Sequence, residues 1–382
     1  MILKPSIWVV FGTRPEAIKM LPLVKALRDK GDFDVTVCST GQHKEMLHQV
    51  FDAFDMKPDI ELDVMTPNQT LTTLTNNILT AMDSAFEKHG KPDRVLVHGD
   101  TTSAFACALA AFYRQVPVGH VEAGLRTFDI STPFPEEGNR QLVKVMSDAH
   151  FAPTPKAQEN LVREGVQFPN VFITGNTVID GLLWMKEIIA KSPDKKGDMA
   201  DFIEKLLKQY DRYVLVTGHR RENHGGGFER ICDGLEMLAE KYPSTAFIYP
   251  VHLNPNVVGP VKARLGHLDN IKLIEPQSYA PFVFLMSNAS IILTDSGGVQ
   301  EEAPSLNVPV LVMRDVTERE EAVTAGTVKL VGTNAKLIFE ETSLLLDSED
   351  ARKMMTGKKN PYGDGKAAIK IAELLSILHN IK

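Results

Sequence analysis

The chain has 382 residues, 43% hydrophobic and 24% charged, with a formal net charge of -7. At roughly 150 residues per domain this is material for two domains, each large enough to bury its own core. The acidic balance excludes a general nucleic-acid binder, so the positive partners of any anionic ligand must be gathered locally. The three cysteines, Cys38, Cys107 and Cys232, show no CxxC spacing, which excludes a disulfide framework and a structural zinc site.

The opening segment, MILKPSIWVVFGTRPEAIK, has one short apolar run and no small-residue cleavage site, and reads as a first strand rather than a signal peptide. No apolar run approaches the ~20 residues that span a bilayer. A cytoplasmic protein without a membrane partner is expected. Ser6–Phe11 is the first strand, and a helix follows from about Pro15 to Lys30, with the proline suited to its first turn. Asp34–Ser39, Arg94–His98, 116–121, 150–152 and 171–174 continue the strand series, with a small-residue helix over 101–113. The pattern then restarts. A strand over 213–217 leads through a glycine-rich turn into a helix ending at Tyr242. Further strands follow at 246–250, Ile271–Ile274, 291–293, 308–312 and 328–331. Strands alternating with helices imply parallel sheets with right-handed crossovers. Two such runs predict an α/β protein of two doubly wound domains. The boundary is placed near Gly175–Asn176, with the polar loop KSPDKKGD (191–198) soon after it. Beyond the breaker-rich NPYGDG, Ala367–Leu378 has helical apolar spacing.

Open α/β sheets bind ligands outside the carboxyl ends of their strands, so the residues that follow each strand carry the functional information. Strand one is followed by Gly12, Thr13, Arg14, Pro15, Glu16 and, a turn later, Lys19. Gly12 permits a tight turn, the helix N-terminus attracts anions, and Arg14 and Lys19 add full positive charges. The alternative is that both are solvated surface residues. Neither GxGxxG nor GxxxxGK[ST] is present, so the dinucleotide fingerprint and the P-loop are both missing.

Asp100 follows the strand VLVH; on local sequence alone, helix capping is the favoured reading for it. Glu122 stands beside Ala123 and Gly124, which leave room for a ligand, or else it forms a buried ion pair with a nearby arginine. Glu136 and Glu137 fit the first turn of a helix entered through two prolines, where dipole complementation is the competing explanation. Carboxylates in three separate loops on one sheet's ligand face would repel a diphosphate. They are better explained as proton-transfer groups aimed at a sugar.

In the second half, His219, Arg220 and Arg221 follow a strand and precede Gly225–Gly227, a cationic setting that suits phosphate binding or acid catalysis. Ser296, Gly297 and Gly298 form a strand-to-helix turn whose N–H groups can cradle a diphosphate. Glu302 lies about one and a half turns further, placed to accept from both ribose hydroxyls. Arg319 can reach the same phosphates, or the stretch is an ordinary turn with surface ion pairs. The histidines show no HExxH or comparable ligand spacing, so no metal and no cofactor is expected.

Taken together, FGTRPEAIKMLPLV, TGQHKEML, HGDTTSA, HVEAGLRT, PFPEEGNRQL, TGNTVID, TGHRREN, LTDSGGVQEEAP and RDVTERE resemble the non-hydrolysing UDP-N-acetylglucosamine 2-epimerases, in order from near the start to about Gly332. The resemblance implies a GT-B architecture: two Rossmann-like domains, 1–174 with 364–382 and 175–363, with the site in the cleft and the C-terminal helix crossing back onto the first. It implies Asp100, Glu122, Glu136 and His219 as the catalytic group and Arg14 and Lys19 as substrate-binding residues. Gln277 and Phe282 fall where the family holds uracil, and Ser296, Gly297, Gly298, Glu302 and Arg319 match its UDP-binding set. Gln42, Arg220 and His252 fall where bacterial relatives bind a second UDP-GlcNAc as activator. A homodimer is implied. So is a reaction that eliminates UDP to give 2-acetamidoglucal and re-adds it, converting UDP-GlcNAc to UDP-ManNAc for surface polysaccharides. There are two departures: Glu320 replaces a proline common in the family, and Asn68 lies where some activator-regulated relatives carry an arginine. The competing functions are a GT-B glycosyltransferase, which would need an acceptor, and a non-catalytic nucleotide-sugar sensor, for which three carboxylates are excessive.

Overall fold

Valine, isoleucine and other strand-favouring residues crowd the short apolar runs, and those runs become the strands. The computed structural model describes residues 4–42, 44–66, 69–218, 226–251 and 255–380. The chain forms two units, Met1–Trp184 with Tyr362–Lys382, and Met185–Pro361.

The first unit holds β1 (Ser6–Phe11), β2 (Asp34–Ser39), β3 (Ile60–Glu61), β4 (Arg94–His98), β5 (Val118–Val121), β6 (Ala149–Ala152) and β7 (Val171–Ile173). They pair in parallel in the order β3-β2-β1-β4-β5-β6-β7. The second unit holds β8 (Arg212–Thr217), β9 (Thr245–Pro250), β10 (Ile271–Ile274), β11 (Ile291–Thr294), β12 (Val310–Val312) and β13 (Val328–Leu330), also parallel, in the order β10-β9-β8-β11-β12-β13. Each sheet reverses its winding once, between β1 and β4 and between β8 and β11. A ligand crevice opens at the carboxyl ends of the strands where the winding reverses.

Two strands begin later than their apolar runs suggest, for one reason. Pro117 and Pro309 have no N–H to donate into the ladder, so β5 starts at Val118 and β12 at Val310. Both prolines still contribute their carbonyls, to Val95 N and Ile292 N, each at 2.9 Å. The stretch over 191–198 is more ordered than its polarity suggests: the helix Thr177–Lys191 runs into it and a 3-10 turn occupies Pro193–Lys196.

The boundary residues and the last helix are tied together inside the first unit. Asn176 N–H donates to the Tyr362 carbonyl at 2.7 Å. The Asp180 carboxylate accepts from Ala367 N (3.2 Å) and Ala368 N (2.9 Å) and so caps the helix Ala367–Leu378. That helix packs on Arg14–Lys30. In the second unit, Tyr213 and Tyr249 are fully buried, and each satisfies its hydroxyl with a backbone carbonyl, of Leu285 at 2.6 Å and of Gly218 at 2.9 Å. The second of these bonds fixes the turn at the end of β8. Two Rossmann-like parallel-sheet domains of this kind make up the GT-B class. Among the described residues no helix is long and apolar enough to cross a membrane.

Candidate active site

The turn after β1 is built around a buried carboxylate. Glu16 Oε2 accepts from Gly12 N (3.0 Å) and Thr13 N (2.7 Å), and its Oε1 accepts from the Thr101 hydroxyl at 2.6 Å. The chain's own glutamate thus fills the amide nest that would otherwise attract an anionic ligand. Gly12 is required here: a Cβ would lie 2.1 Å from Thr40 Oγ1 and 2.4 Å from Ser103 Oγ. Those two hydroxyls lie 3.1 Å apart, and Ser103 also donates to Gln42 Oε1 at 2.7 Å. Arg14 is the first residue of the helix Arg14–Lys30 and is half-buried.

One turn into that helix, the Lys19 ammonium pairs with Glu122 Oε2, both side chains nearly buried. The same oxygen accepts from Asn176 Nδ2 at 2.8 Å and lies 3.6 Å from His98 Nε2. Burial pushes the Glu122 carboxyl up, but the charge of Lys19 and then His98 outweigh it and hold the group well below the usual carboxylate range. Glu122 is therefore ionised at neutral pH. Its backbone is left-handed at φ +61°, which turns the side chain out of strand direction just past β5. The β4 and β5 ends are locked together by His120, whose Nε2 lies 2.7 Å from the Gly99 carbonyl. Burial lowers the His120 pKa to about 3, which keeps the ring neutral.

Asp100 does not act as a simple cap, because Thr101 takes that role by accepting from Ala104 N. The Asp100 carboxylate is bound by Arg140 instead, Nε at 2.8 Å and Nη2 at 2.7 Å, and Asn139 Nδ2 donates to its carbonyl at 2.8 Å. Arg140 reaches Glu137 Oε2 at 3.1 Å as well, and the buried Glu137 accepts from Thr127 N, so Glu137 organises the loop. Glu136 opens the helix Glu136–Met146, is half-buried, and has no bonded partner among the described residues. Of this neighbouring pair of glutamates, Glu137 is buried and bonded within the loop, whereas Glu136 is the more exposed.

In the second unit, the helix Gly297–Glu302 follows β11, and Ser296 at its N-cap makes no side-chain cap. In contrast to the turn after β1, no side-chain carboxylate among the described residues caps this turn. Gly297 packs under Arg319: a Cβ there would lie 2.8 Å from the guanidinium carbon. Arg319 is held by Glu301 Oε1, 3.0 Å from both Nε and Nη2, and by Glu318. Burial raises the Glu318 carboxyl, but Arg319 outweighs it and brings the pKa to about 2. Glu302 Oε1 accepts from the Tyr279 hydroxyl at 2.8 Å, and Gln277 and Phe282 flank Tyr279 at the start of the helix Tyr279–Asn288. Gln277 Nε2 donates to the Glu275 carbonyl at 2.7 Å.

The structure thus joins Lys19 with Glu122 and places Asp100 and Glu136 on the adjoining loops. It gathers Ser296, Gly297, Gly298, Glu302, Arg319, Gln277 and Phe282 on the second sheet's loops. His219, Arg220, His252 and Asn68 lie outside the described residues. Sequence reading overlooked Glu16, His98, Asn176, Tyr279 and Glu301. Only Glu16 left a local signal, the Thr13-x-x-Glu16 capping-box spacing.

Polar side chains gathered at the carboxyl ends of two Rossmann-like parallel sheets define a class, the GT-B enzymes. A solved structure of the glycotransferase of kitacinnamycin, 12% identical with a TM-score of 0.63, shares this fold. Residues 25–376 match the family model described as UDP-N-acetylglucosamine 2-epimerase. The UDP-N-acetylglucosamine 2-epimerases of Yersinia pestis and Escherichia coli K12 are each 53% identical, over 97% of this chain and 98% of their own. The Neisseria meningitidis enzyme, solved bound to UDP-GlcNAc, is 49% identical with a TM-score of 0.89, covering 97% of this chain and 99% of its own. The chain belongs to the UDP-N-acetylglucosamine 2-epimerase family and is an epimerase.

Proposed function

We propose that the protein interconverts UDP-GlcNAc and UDP-ManNAc by anti-elimination of UDP to 2-acetamidoglucal and re-addition. C2 is not adjacent to a carbonyl, so its proton is too weakly acidic for simple removal and return. If the C1–O bond breaks as the proton leaves, the C2–H electron pair becomes the C1–C2 double bond and the C1–O pair departs with UDP. Asp100, Glu122 and Glu136 divide the two proton transfers on opposite faces of C2. His219, Arg14 and Arg319 stabilise the leaving UDP, with Ser296, Gly297, Gly298, Glu302, Gln277 and Phe282 holding it.

The observation that carries this reading is Glu122: a buried carboxylate kept ionised by Lys19, hence in the form that accepts a proton. The same charge makes it a weak base, which fits a reaction driven by departure of a good leaving group. Epimerisation in heavy water should place deuterium at C2 of the product, and labelled bridging oxygen should scramble within UDP-GlcNAc during turnover. Product free of solvent deuterium would sink the scheme.

We further propose a cytoplasmic homodimer that supplies ManNAc for surface polysaccharide. Large apolar side chains stand exposed on two packed helices of the first unit: Phe112 and Tyr113 on one, Leu142 and Val145 on the other. Monomer apolar patches of this kind mark interaction surfaces, and sedimentation will read the mass. For an activating second UDP-GlcNAc, Gln42 offers its amide N–H groups, since its oxygen is taken by Ser103.

A further inference from the structure

Among the described residues, three polar neighbours of Glu122 converge on one of its two oxygens. Lys19 Nζ, Asn176 Nδ2 at 2.8 Å and His98 Nε2 at 3.6 Å lie against Oε2. Oε1 has no bonded partner among the described residues. It faces Gly99, where even an added Cβ would stop 3.7 Å short of it. Asn176 is itself fixed. It is buried, its Oδ1 accepts from Val178 N at 3.0 Å, and its backbone N–H donates to the Tyr362 carbonyl. With Oδ1 spoken for, only the amide nitrogen can point at Glu122. His98 Nε2 is buried and makes no hydrogen bond among the described residues, and Oε2 is the polar group it faces.

We infer that Asn176 and His98 are positioning residues for Glu122: with Lys19 they occupy Oε2 and leave Oε1 to exchange a proton with the sugar. Breaking C2–H then delivers the proton to Oε1, while its electron pair forms the C1–C2 double bond and UDP leaves with the C1–O pair. Both residues act through Glu122. Each fixes the carboxylate's rotation, and a misdirected lone pair is lost from the reacting geometry. The inference rests on reading Glu122 as a proton-transfer group.

The test is steady-state epimerisation with purified full-length variants, with solvent deuterium incorporation at C2 as a second readout. Asn176→Ser retains an oxygen to cap Val178 N but cannot reach Glu122. It should lower kcat about tenfold, KM changing less than about twofold. His98→Gln should behave likewise. The titratable groups facing Glu122 are Lys19, from the helix Arg14–Lys30, and His98, from β4. Losing a donor to the ionised carboxylate disfavours that form, so the acid limb of kcat/KM should move to higher pH in Asn176→Ser. Asn176→Asp, isosteric but negatively charged, should move it further. Should one variant fail to fold, the other two decide. Unchanged kcat and an unmoved limb in the folded variants would overturn the inference, as would a loss carried by KM alone. Glu122→Gln separates the two claims. If it is as active as wild type, the reading of Glu122 itself fails. If it is inactive while Asn176→Ser and His98→Gln are normal, only the positioning inference fails.

Discussion

Glu302 Oε1 accepts a 2.8 Å hydrogen bond from the Tyr279 hydroxyl, and through it the helix that follows β11 is tied to the helix that follows β10. Gln277 and Phe282 sit on one side of that tie and Ser296, Gly297 and Gly298 on the other. Tyr279→Phe removes the bond without changing the ring. UDP affinity should fall by ~1 kcal/mol, about fivefold, by titration calorimetry. Affinity equal to wild type would mean that the two loops are set independently.

Arg319 should not tolerate lysine. Its guanidinium is fixed by Glu301 and Glu318 and covers Gly297, a planar arrangement that an ammonium cannot reproduce. Arg319→Lys should weaken UDP by ~2 kcal/mol, the scale of a charge-assisted hydrogen bond. Gly297→Ala should do the same by pushing the guanidinium away, with the first unit's stability unaltered.

Gly12→Ala tests the packing under the first turn. The new methyl would overlap Thr40 Oγ1 and Ser103 Oγ, so thermal unfolding should show a loss of roughly 1–3 kcal/mol. Glu16→Ala strips the acceptor from Gly12 N and Thr13 N and opens the amide nest. Phosphate should then raise the melting temperature of Glu16→Ala by more than it raises that of wild type.

Much of this arrangement was legible in the sequence. The strands declared themselves because both sheets are covered on both faces, so β1, β4 and β8 read as unbroken apolar runs. The loops that follow them carried the candidate residues. By contrast, β3 is two residues long and leaves no pattern. Glu16 stands between Arg14 and Lys19, whose charges draw attention first, although its spacing from Thr13 marks a capping box. Asn176, His98 and Tyr279 act on partners far away in sequence, at separations of 54, 24 and 23 residues, which no local period records. Asn176 lies in a recognised motif, but the identity of its partner is a tertiary fact.

Asp180 should give the protein a measurable pH dependence. Burial raises its carboxyl to about 6, against the two backbone N–H bonds that favour the ionised form. The folded state therefore holds this proton more tightly than the unfolded chain, and the stability it confers is present below about pH 4. That stability is lost as pH rises to about 6 and is constant above. Asp180→Asn keeps an acceptor for one of the two N–H groups but cannot ionise. The unfolding free energy of Asp180→Asn minus that of wild type should rise between pH 4 and 6 by on the order of 2 kcal/mol, then flatten. A difference independent of pH would assign the slope to other groups.

The first unit is interrupted in sequence by the whole of the second, since Tyr362–Lys382 returns to Met1–Trp184. A ribosome therefore finishes the later unit, ending at Pro361, before the earlier one has all its parts. During synthesis the apolar face of Arg14–Lys30 must wait for a helix not yet made, and Asn176 for the Tyr362 carbonyl. A nascent chain stalled near Pro361 should bind UDP while its amino-terminal half is still open to protease.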